Sequence, residues 1–304
     1  MTDVLRAQDI AGPILFAGES ADAVMPGFAG GLWRREDAPW PPEGAFGAAV
    51  LDLPRSREAY RMALHAIAAK LPQGAPFFVY GANAAGIKSA GKALAPLYEG
   101  AETVTARAHA RVWRASRSAS MDGLQGRLSD WRTRAALEIA GRTHEWVSYP
   151  GVFAHGRIDA GTSLLLSHLP DVAGARALDF GAGSGVIARA LADRGAHVTM
   201  IESDALAREA ARENVPEGKM LMAFPASRFS LIVSNPPIHK GGASDLGVLD
   251  ALLAEAPRRL TRGGALLLVV QRTVPVPRLA AAHFPAVRLL AEEGGYRVWQ
   301  LAAK

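Results

Sequence analysis

The chain has 304 residues, 49% of them hydrophobic and 21% charged, which is enough for two packed domains. It contains no cysteine, which excludes disulfides, thiolate metal sites and thiol catalysis and suits a cytoplasmic protein. Its net charge of +5 fits a nucleic-acid partner without singling one out, no apolar run reaches a membrane span, and no secretion signal or metal site is expected.

In chain order, Ala48–Leu53 reads as a strand ending in Asp52-Leu53-Pro54, and Glu58–Lys70 as an amphipathic helix. Pro76–Tyr80 is a second strand, followed by the glycine-rich turn Gly81–Gly86 and a helix over Ser89–Leu97. Thr105–Trp113 alternates small or apolar residues with larger ones, so that at strand period Arg107, His109, Arg111 and Trp113 share one face. Arg114, Arg117, Arg127, Arg132 and Arg134 extend this basic cluster. Arginine pairs with phosphate and an aromatic neighbour stacks on an unpaired base, so Arg107, Arg111, Trp113 and Arg114 are candidate RNA contacts. The plainer reading is a solvated strand face. Trp131 and Trp146 read as packing residues, and Ser116–Arg134 as the start of the connection between two halves.

The second half alternates strands and helices more clearly, as a parallel sheet covered by helices requires. Strands are expected at Ala175–Phe180, His197–Ile201, Phe229–Ser234 and Ala265–Val270, with helices at Val186–Arg194, Ala205–Asn214 and Leu249–Leu260. Val287–Ala291 and Tyr296–Leu301, joined by Glu-Glu-Gly-Gly, read as a closing hairpin. The weaker pattern of the first half suggests an old duplication; the plainer reading is an unrelated α/β domain. The expected organisation is a degenerate copy over residues 1–141 and a working domain over residues 142–304.

The loop Asp179-Phe180-Gly181-Ala182-Gly183-Ser184-Gly185 leaves a strand and opens a helix. Glycines there permit left-handed backbone and close approach of a ligand. A dinucleotide loop has its third glycine one position later, so Gly181, Gly183 and Gly185 favour S-adenosylmethionine over a nicotinamide cofactor. Asp179 is placed to hold the amino acid end of that cofactor, and Glu202, at the end of the next strand, to accept from its ribose hydroxyls. The plainer readings are a helix cap for Asp179 and a solvated charge for Glu202; Ser203 or Asp204 suits a helix cap.

The strand Phe229–Ser234 runs into Asn235-Pro236-Pro237-Ile238. Two prolines stiffen the turn and remove backbone donors. The Asn235 side-chain oxygen and the Pro236 carbonyl can then accept both hydrogens of an exocyclic amine and aim its lone pair at a methyl donor. A simple strand-ending turn is the alternative. His239 and Lys240 follow as candidate contacts to the target or its phosphates.

These motifs, with Phe78-Val79-Tyr80-Gly81-Ala82-Asn83, Tyr149-Pro150-Gly151-Val152-Phe153 and Asp159-Ala160-Gly161-Thr162-Ser163-Leu164-Leu165-Leu166, resemble the RsmC-like ribosomal RNA guanine-N2 methyltransferases. The resemblance spans about residues 48–301 and implies two tandem Rossmann-like class I methyltransferase domains, the N-terminal one degenerate. It implies S-adenosylmethionine as cofactor, with Phe153, Gly161 and Thr162 among its contacts, and Asn235, Pro236, Pro237 and Ile238 as the catalytic turn. It implies a guanine of ribosomal RNA, free or in the assembled small subunit, as partner, with the first domain assisting RNA binding. Position 238, aromatic in that family, is Ile238 here, Ser230 stands where an acid is common, and Glu217 is the candidate acid for the adenine amino group. The competing readings are a methyltransferase for another amine or amide, such as protein glutamine, and a non-catalytic RNA-binding assembly protein.

Overall fold

A computed structural model describes residues 1–8, 10–238 and 246–303. The chain divides into two compact units, Met1–Arg132 and Thr133–Lys304. This division precedes the expected one at residue 141, because a hairpin that the sequence reading passed over belongs to the second unit.

The first unit opens with α1 (Thr2–Arg6), followed by strands β1 (Ile14–Ala17), β2 (Gly30–Trp33) and β3 (Ala48–Asp52). Then come α2 (Arg57–Ala68), β4 (Pro76–Ala82), the one-turn α3 (Ile87–Ala90), β5 (Tyr98–Arg107) and β6 (Ala110–Arg117). Ser56 caps α2 by accepting from the Ala59 amide at 3.0 Å, and Tyr60, Leu64 and Ile67 bury one helical stripe against the sheet. The six strands lie in the order β2-β1-β3-β4-β6-β5, with β1 to β4 parallel and β5–β6 an antiparallel hairpin.

The second unit begins with the hairpin β7 (Thr133–Ile139) and β8 (Arg142–Ser148), then α4 (Ala160–Leu166). Alternating elements follow: β9 (Arg176–Phe180), α5 (Val186–Asp193), β10 (His197–Ile201), α6 (Ala205–Asn214), β11 (Lys219–Leu221), β12 (Phe229–Ser234) and α7 (Gly247–Arg259). β13 (Leu260–Gln271), α8 (Val276–Ala280), β14 (Ala286–Glu293) and β15 (Tyr296–Ala302) complete it. The seven-stranded order is β11-β10-β9-β12-β13-β15-β14, parallel except for β15. This is the expected class I methyltransferase layout. The first unit repeats the order β10-β9-β12-β13-β15-β14 and lacks a counterpart of β11, which makes it the degenerate copy.

Both faces of the second sheet are covered, so its central strands are almost continuously apolar; Ala177, Leu178, Ile232, Val233, Leu266 and Leu268 are fully buried. β9 is where the strand order reverses, with β10 on one side and β12 on the other. In open α/β sheets the crevice beyond the carboxyl ends of such strands is where ligands bind. Among the described residues no helix is long and apolar enough to cross a membrane, and no group of His, Asp or Glu could hold a metal ion.

Candidate active site

Three strand ends meet at this crevice. The loop after β9 holds Gly181, Gly183 and Gly185 at φ of 71°, 55° and 95°, the left-handed region in which a side chain is strained. A Cβ at Gly181 would stand 3.8 Å from Pro237 Cδ, so the glycine loop and the Asn-Pro-Pro turn are neighbours. Gly181 and Ala182 donate to the Ile201 carbonyl at 2.8 and 3.0 Å, tying the loop to the end of β10.

Glu202 takes up the loop from the other side. One carboxylate oxygen accepts from Gly183 N at 2.8 Å and the other from Asp204 N at 2.8 Å. A carboxylate offers about four acceptor positions, so Glu202 keeps capacity for ribose hydroxyls. Asp204 caps α6, accepting from the Leu206 and Ala207 amides.

Asp179 is fully buried, with one oxygen accepting from Ala188 N, in the first turn of α5, at 2.9 Å. Its other oxygen, Oδ1, has no hydrogen-bond partner among the described residues. Burial pushes the carboxyl pKa up to about 7, the Ala188 amide opposes that rise, and the neighbouring Glu202 charge adds to it. Asp179 thus caps a helix end, the plainer of its two readings, while its unpaired Oδ1 leaves one acceptor for a cationic ligand.

The Asn235-Pro236-Pro237 turn is held from α4. Asn235 Nδ2 donates to Asp159 Oδ2 at 3.1 Å and to Thr162 Oγ1 at 2.9 Å. Asp159 Oδ2 also caps α4 by accepting from Thr162 N at 3.1 Å. Gly161 lies beneath the Tyr296 ring, and a Cβ there would fall 2.8 Å from Tyr296 Cδ1. The Asp159 carboxylate, facing the Tyr296 hydroxyl, holds that phenol above its ordinary pKa, chiefly by its charge. Gly161 and Thr162 therefore stand beside the turn. Sequence reasoning left out Asp159 as a site residue and missed Tyr296 altogether; Asp159, three residues before Thr162, carried a capping signature.

Pro236 is buried, Pro237 exposed and Ile238 half-buried. Ile238 packs on the same apolar cluster as Phe180 and Phe224, whose rings stack with centroids 5.1 Å apart at 15°. Phe153 is 63% exposed in the loop before α4. Asn214, at the end of α6, is a further unforeseen support: it exchanges hydrogen bonds with the Val147 backbone and donates to the Ser184 carbonyl at 2.9 Å. It thereby clamps β8 to the glycine loop.

Several expectations need correction. Thr105–Trp113 is not one strand: Ala108 and His109, both at positive φ, turn the chain, and β5 pairs back on β6 with Arg107 opposite Ala110 and Ala106 opposite Arg111. Arg107 and Arg111 therefore lie on different strands. Trp113 is no base platform, because its ring fills the space over Gly91 and its Nε1 donates to the Ile87 carbonyl at 2.8 Å. Arg111 stacks over that ring at 5.7 Å and Arg114 pairs with Glu102, while Arg107 is exposed. In place of the helix expected over Ser89–Leu97 stand the single turn α3 and a 3-10 turn over Gly91–Ala93. Glu217 precedes β11, at the sheet edge away from the crevice, and pairs with Arg189. Ser230 occupies the same far edge and donates to the Arg176 carbonyl. His239 and Lys240 lie outside the described residues.

Comparison with known proteins agrees with this geometry. Residues 144–300 match the family model of the methyltransferase small domain, and residues 31–133 that of the methyltransferase small domain N-terminal region. A ribosomal RNA small subunit methyltransferase C from Pseudomonas aeruginosa (strain LESB58) is 34% identical, covering 94% of this chain and 93% of its own length. Its namesake from Chromohalobacter salexigens is 36% identical, covering 83% and 77%. Among solved structures, the T. thermophilus 16S rRNA N2 G1207 methyltransferase in complex with AdoMet and guanosine shares the fold with a TM-score of 0.83. That pair is 24% identical, and the match covers 100% of this chain and 91% of the other.

Proposed function

We propose that this chain, which belongs to the family of ribosomal RNA small subunit methyltransferase C, transfers a methyl group from S-adenosylmethionine to the exocyclic N2 of a guanine in 16S ribosomal RNA. The observation that carries this reading is the Asn235 amide. Its nitrogen is committed to Asp159 and Thr162, its Oδ1 has no partner among the described residues, and Pro237 of the same turn adjoins the glycine loop. A free acceptor on a rigid turn suits a target that donates hydrogens.

The site's donor set fits the cofactor. The glycine loop lacks the side chains that would fill a ligand's place, Glu202 retains acceptor capacity, and Asp179 Oδ1 is a buried acceptor without a partner. Gly181, Gly183, Gly185, Asp179 and Glu202, with Gly161, Thr162 and Phe153, would hold it. When bound, S-adenosylmethionine supplies an electrophilic methyl group on a sulfonium centre.

The chain's own part is positioning. Asn235 Oδ1 and the Pro236 carbonyl accept from the two hydrogens of the guanine amine and fix the direction of its lone pair. As the nitrogen gains positive charge these two dipoles stabilise it, and the proton then leaves through an acceptor already in contact. Ile238 packs on the base in place of an aromatic ring. Arg107 of the first unit, exposed at the end of β5, contributes a phosphate contact that holds the RNA without reading its sequence.

The test is incubation with methyl-labelled S-adenosylmethionine and either naked 16S RNA or assembled small subunits lacking the modification, followed by nucleoside analysis. N2-methylguanosine from at least one substrate is expected, and a higher yield from the subunit would identify the assembled particle as partner. Cofactor binding without any methylated guanosine from either substrate would overturn the proposal.

A further inference from the structure

We propose that Asp159 is a positioning residue for methyl transfer: it fixes which way the Asn235 amide faces and so restricts the site to targets that donate hydrogens. This rests on the reading of Asn235 as the contact to the target amine.

An asparagine amide is nearly symmetric in shape, and a half-turn about its last bond exchanges an acceptor for two donors. A catalytic acceptor at position 235 needs something to exclude the wrong orientation. Thr162 does not suffice, because a hydroxyl accepts from the amide nitrogen and donates to the amide oxygen equally well. An ionised carboxylate only accepts. With Asp159 Oδ2 at 3.1 Å and Thr162 Oγ1 at 2.9 Å, both Nδ2 hydrogens have partners, and the flipped amide would set its oxygen against the carboxylate. Oδ1 must then face away from α4.

Asp159 is itself well anchored. The oxygen that accepts from Asn235 also accepts from Thr162 N at the start of α4, and the Tyr296 hydroxyl faces the same carboxylate from β15. Gly161 admits the Tyr296 ring to that place, since any side chain there would collide with it. One carboxylate thus joins a helix start, a strand start and the catalytic turn. A target presenting only acceptors, such as a base carbonyl, would meet a carbonyl-like oxygen and be repelled, whereas an amino group is drawn in.

Two substitutions separate positioning from folding. In Asp159→Ser the shorter hydroxyl still caps α4 but does not reach Asn235. Its kcat should fall about 10- to 100-fold, with the KM for S-adenosylmethionine and for RNA little changed. In Asp159→Asn the amide oxygen can occupy the place of Oδ2, so most of the lost kcat should return. The Asn235 side-chain amide protons, assigned by their loss in Asn235→Ala, should be shifted and slow to exchange in the wild type and in Asp159→Asn, and unrestrained in Asp159→Ser. Wild-type kcat in Asp159→Ser, or Asn235 amide resonances unchanged in that variant, would overturn the proposal. If the wild-type protein methylates no guanine, the function fails by itself and the resonances still decide whether Asp159 sets the amide.

Discussion

Asp179 gives the most quantitative test of the site's electrostatics. Its carboxyl is fully buried, and its pKa stands near 7 against an ordinary 3.8. The folded protein therefore holds this proton more tightly than the unfolded chain does. The stabilising contribution is complete below the unfolded pKa and is lost as pH rises through 7. At about 1.4 kcal/mol per pKa unit, the loss between pH 5 and pH 8 is about 3 kcal/mol. Asp179→Asn removes the titration while its amide oxygen keeps the bond from Ala188. Any fixed cost of the substitution is the same at every pH, so the informative quantity is the difference in Tm between variant and wild type across the range. For a unit of this size that difference should shift in the variant's favour by roughly 5–10 °C between pH 5 and pH 8, followed as the second unit's unfolding transition. A difference independent of pH would show that Asp179 ionises like an exposed carboxylate. A cationic ligand favours the ionised form, so S-adenosylmethionine affinity should rise with pH over the same interval in the wild type and stay flat in Asp179→Asn.

Gly185→Ala should destabilise the second unit by about 2 kcal/mol in denaturant melts, because φ is 95° and the new methyl would stand 3.0 Å from Val215 Cγ2. Gly183→Ala meets open space but strained backbone at φ 55°, so it should cost about 1 kcal/mol of stability and also weaken the calorimetric Kd for S-adenosylmethionine. Asn214→Ala breaks three buried hydrogen bonds to Val147 and Ser184 and should cost about 2–4 kcal/mol of stability by chemical denaturation. Arg107→Ala should weaken RNA binding evenly across sequences and lower the salt-dependence slope by about one ion, read by filter binding at several salt concentrations.

What was legible in the sequence was the chemistry set by adjacent residues. Gly181, Gly183 and Gly185 announce left-handed backbone, and Asn235-Pro236-Pro237 announces a rigid turn, because both signals are local. The hairpin β7–β8 was hidden because its strands are largely exposed and carry Arg, Thr, Glu and His where a buried face would alternate. β1 was hidden by its four-residue length. The turn at Ala108-His109 contains neither glycine nor proline, so two strands read as one. The contacts that orient the Asn235-Pro236-Pro237 turn were beyond local reasoning, since Asp159 and Asn235 are 76 residues apart.

The two units show why one copy of this frame carries the chemistry. In the first, β1 pairs with β3 so that Ala17 lies opposite Leu51; in the second, β9 pairs with β12 so that Phe180 lies opposite Ser234. The next residues therefore correspond: Gly18 with Gly181, and Asp52 with Asn235. In the second unit the Asn235 side chain turns toward α4 and leaves the glycine loop to Glu202. In the first, the Asp52 carboxylate turns onto its own loop, accepting from Ser20 N at 3.0 Å and Ser20 Oγ at 2.7 Å, with the Tyr80 hydroxyl 2.9 Å from that Oγ. The strand ends are also closer there. A Cβ at Gly18 would lie 2.6 Å from Asp52 Cβ, whereas one at Gly181 would lie 3.8 Å from Pro237 Cδ. The gap that a ligand would enter is therefore closed in the first unit. Asp52→Asn alone would keep an oxygen on Ser20 and leave the gap closed, so S-adenosylmethionine binding should remain at one equivalent per chain in that variant. A second equivalent would mean that the carboxylate charge, rather than the closed backbone, keeps ligands out of the first unit.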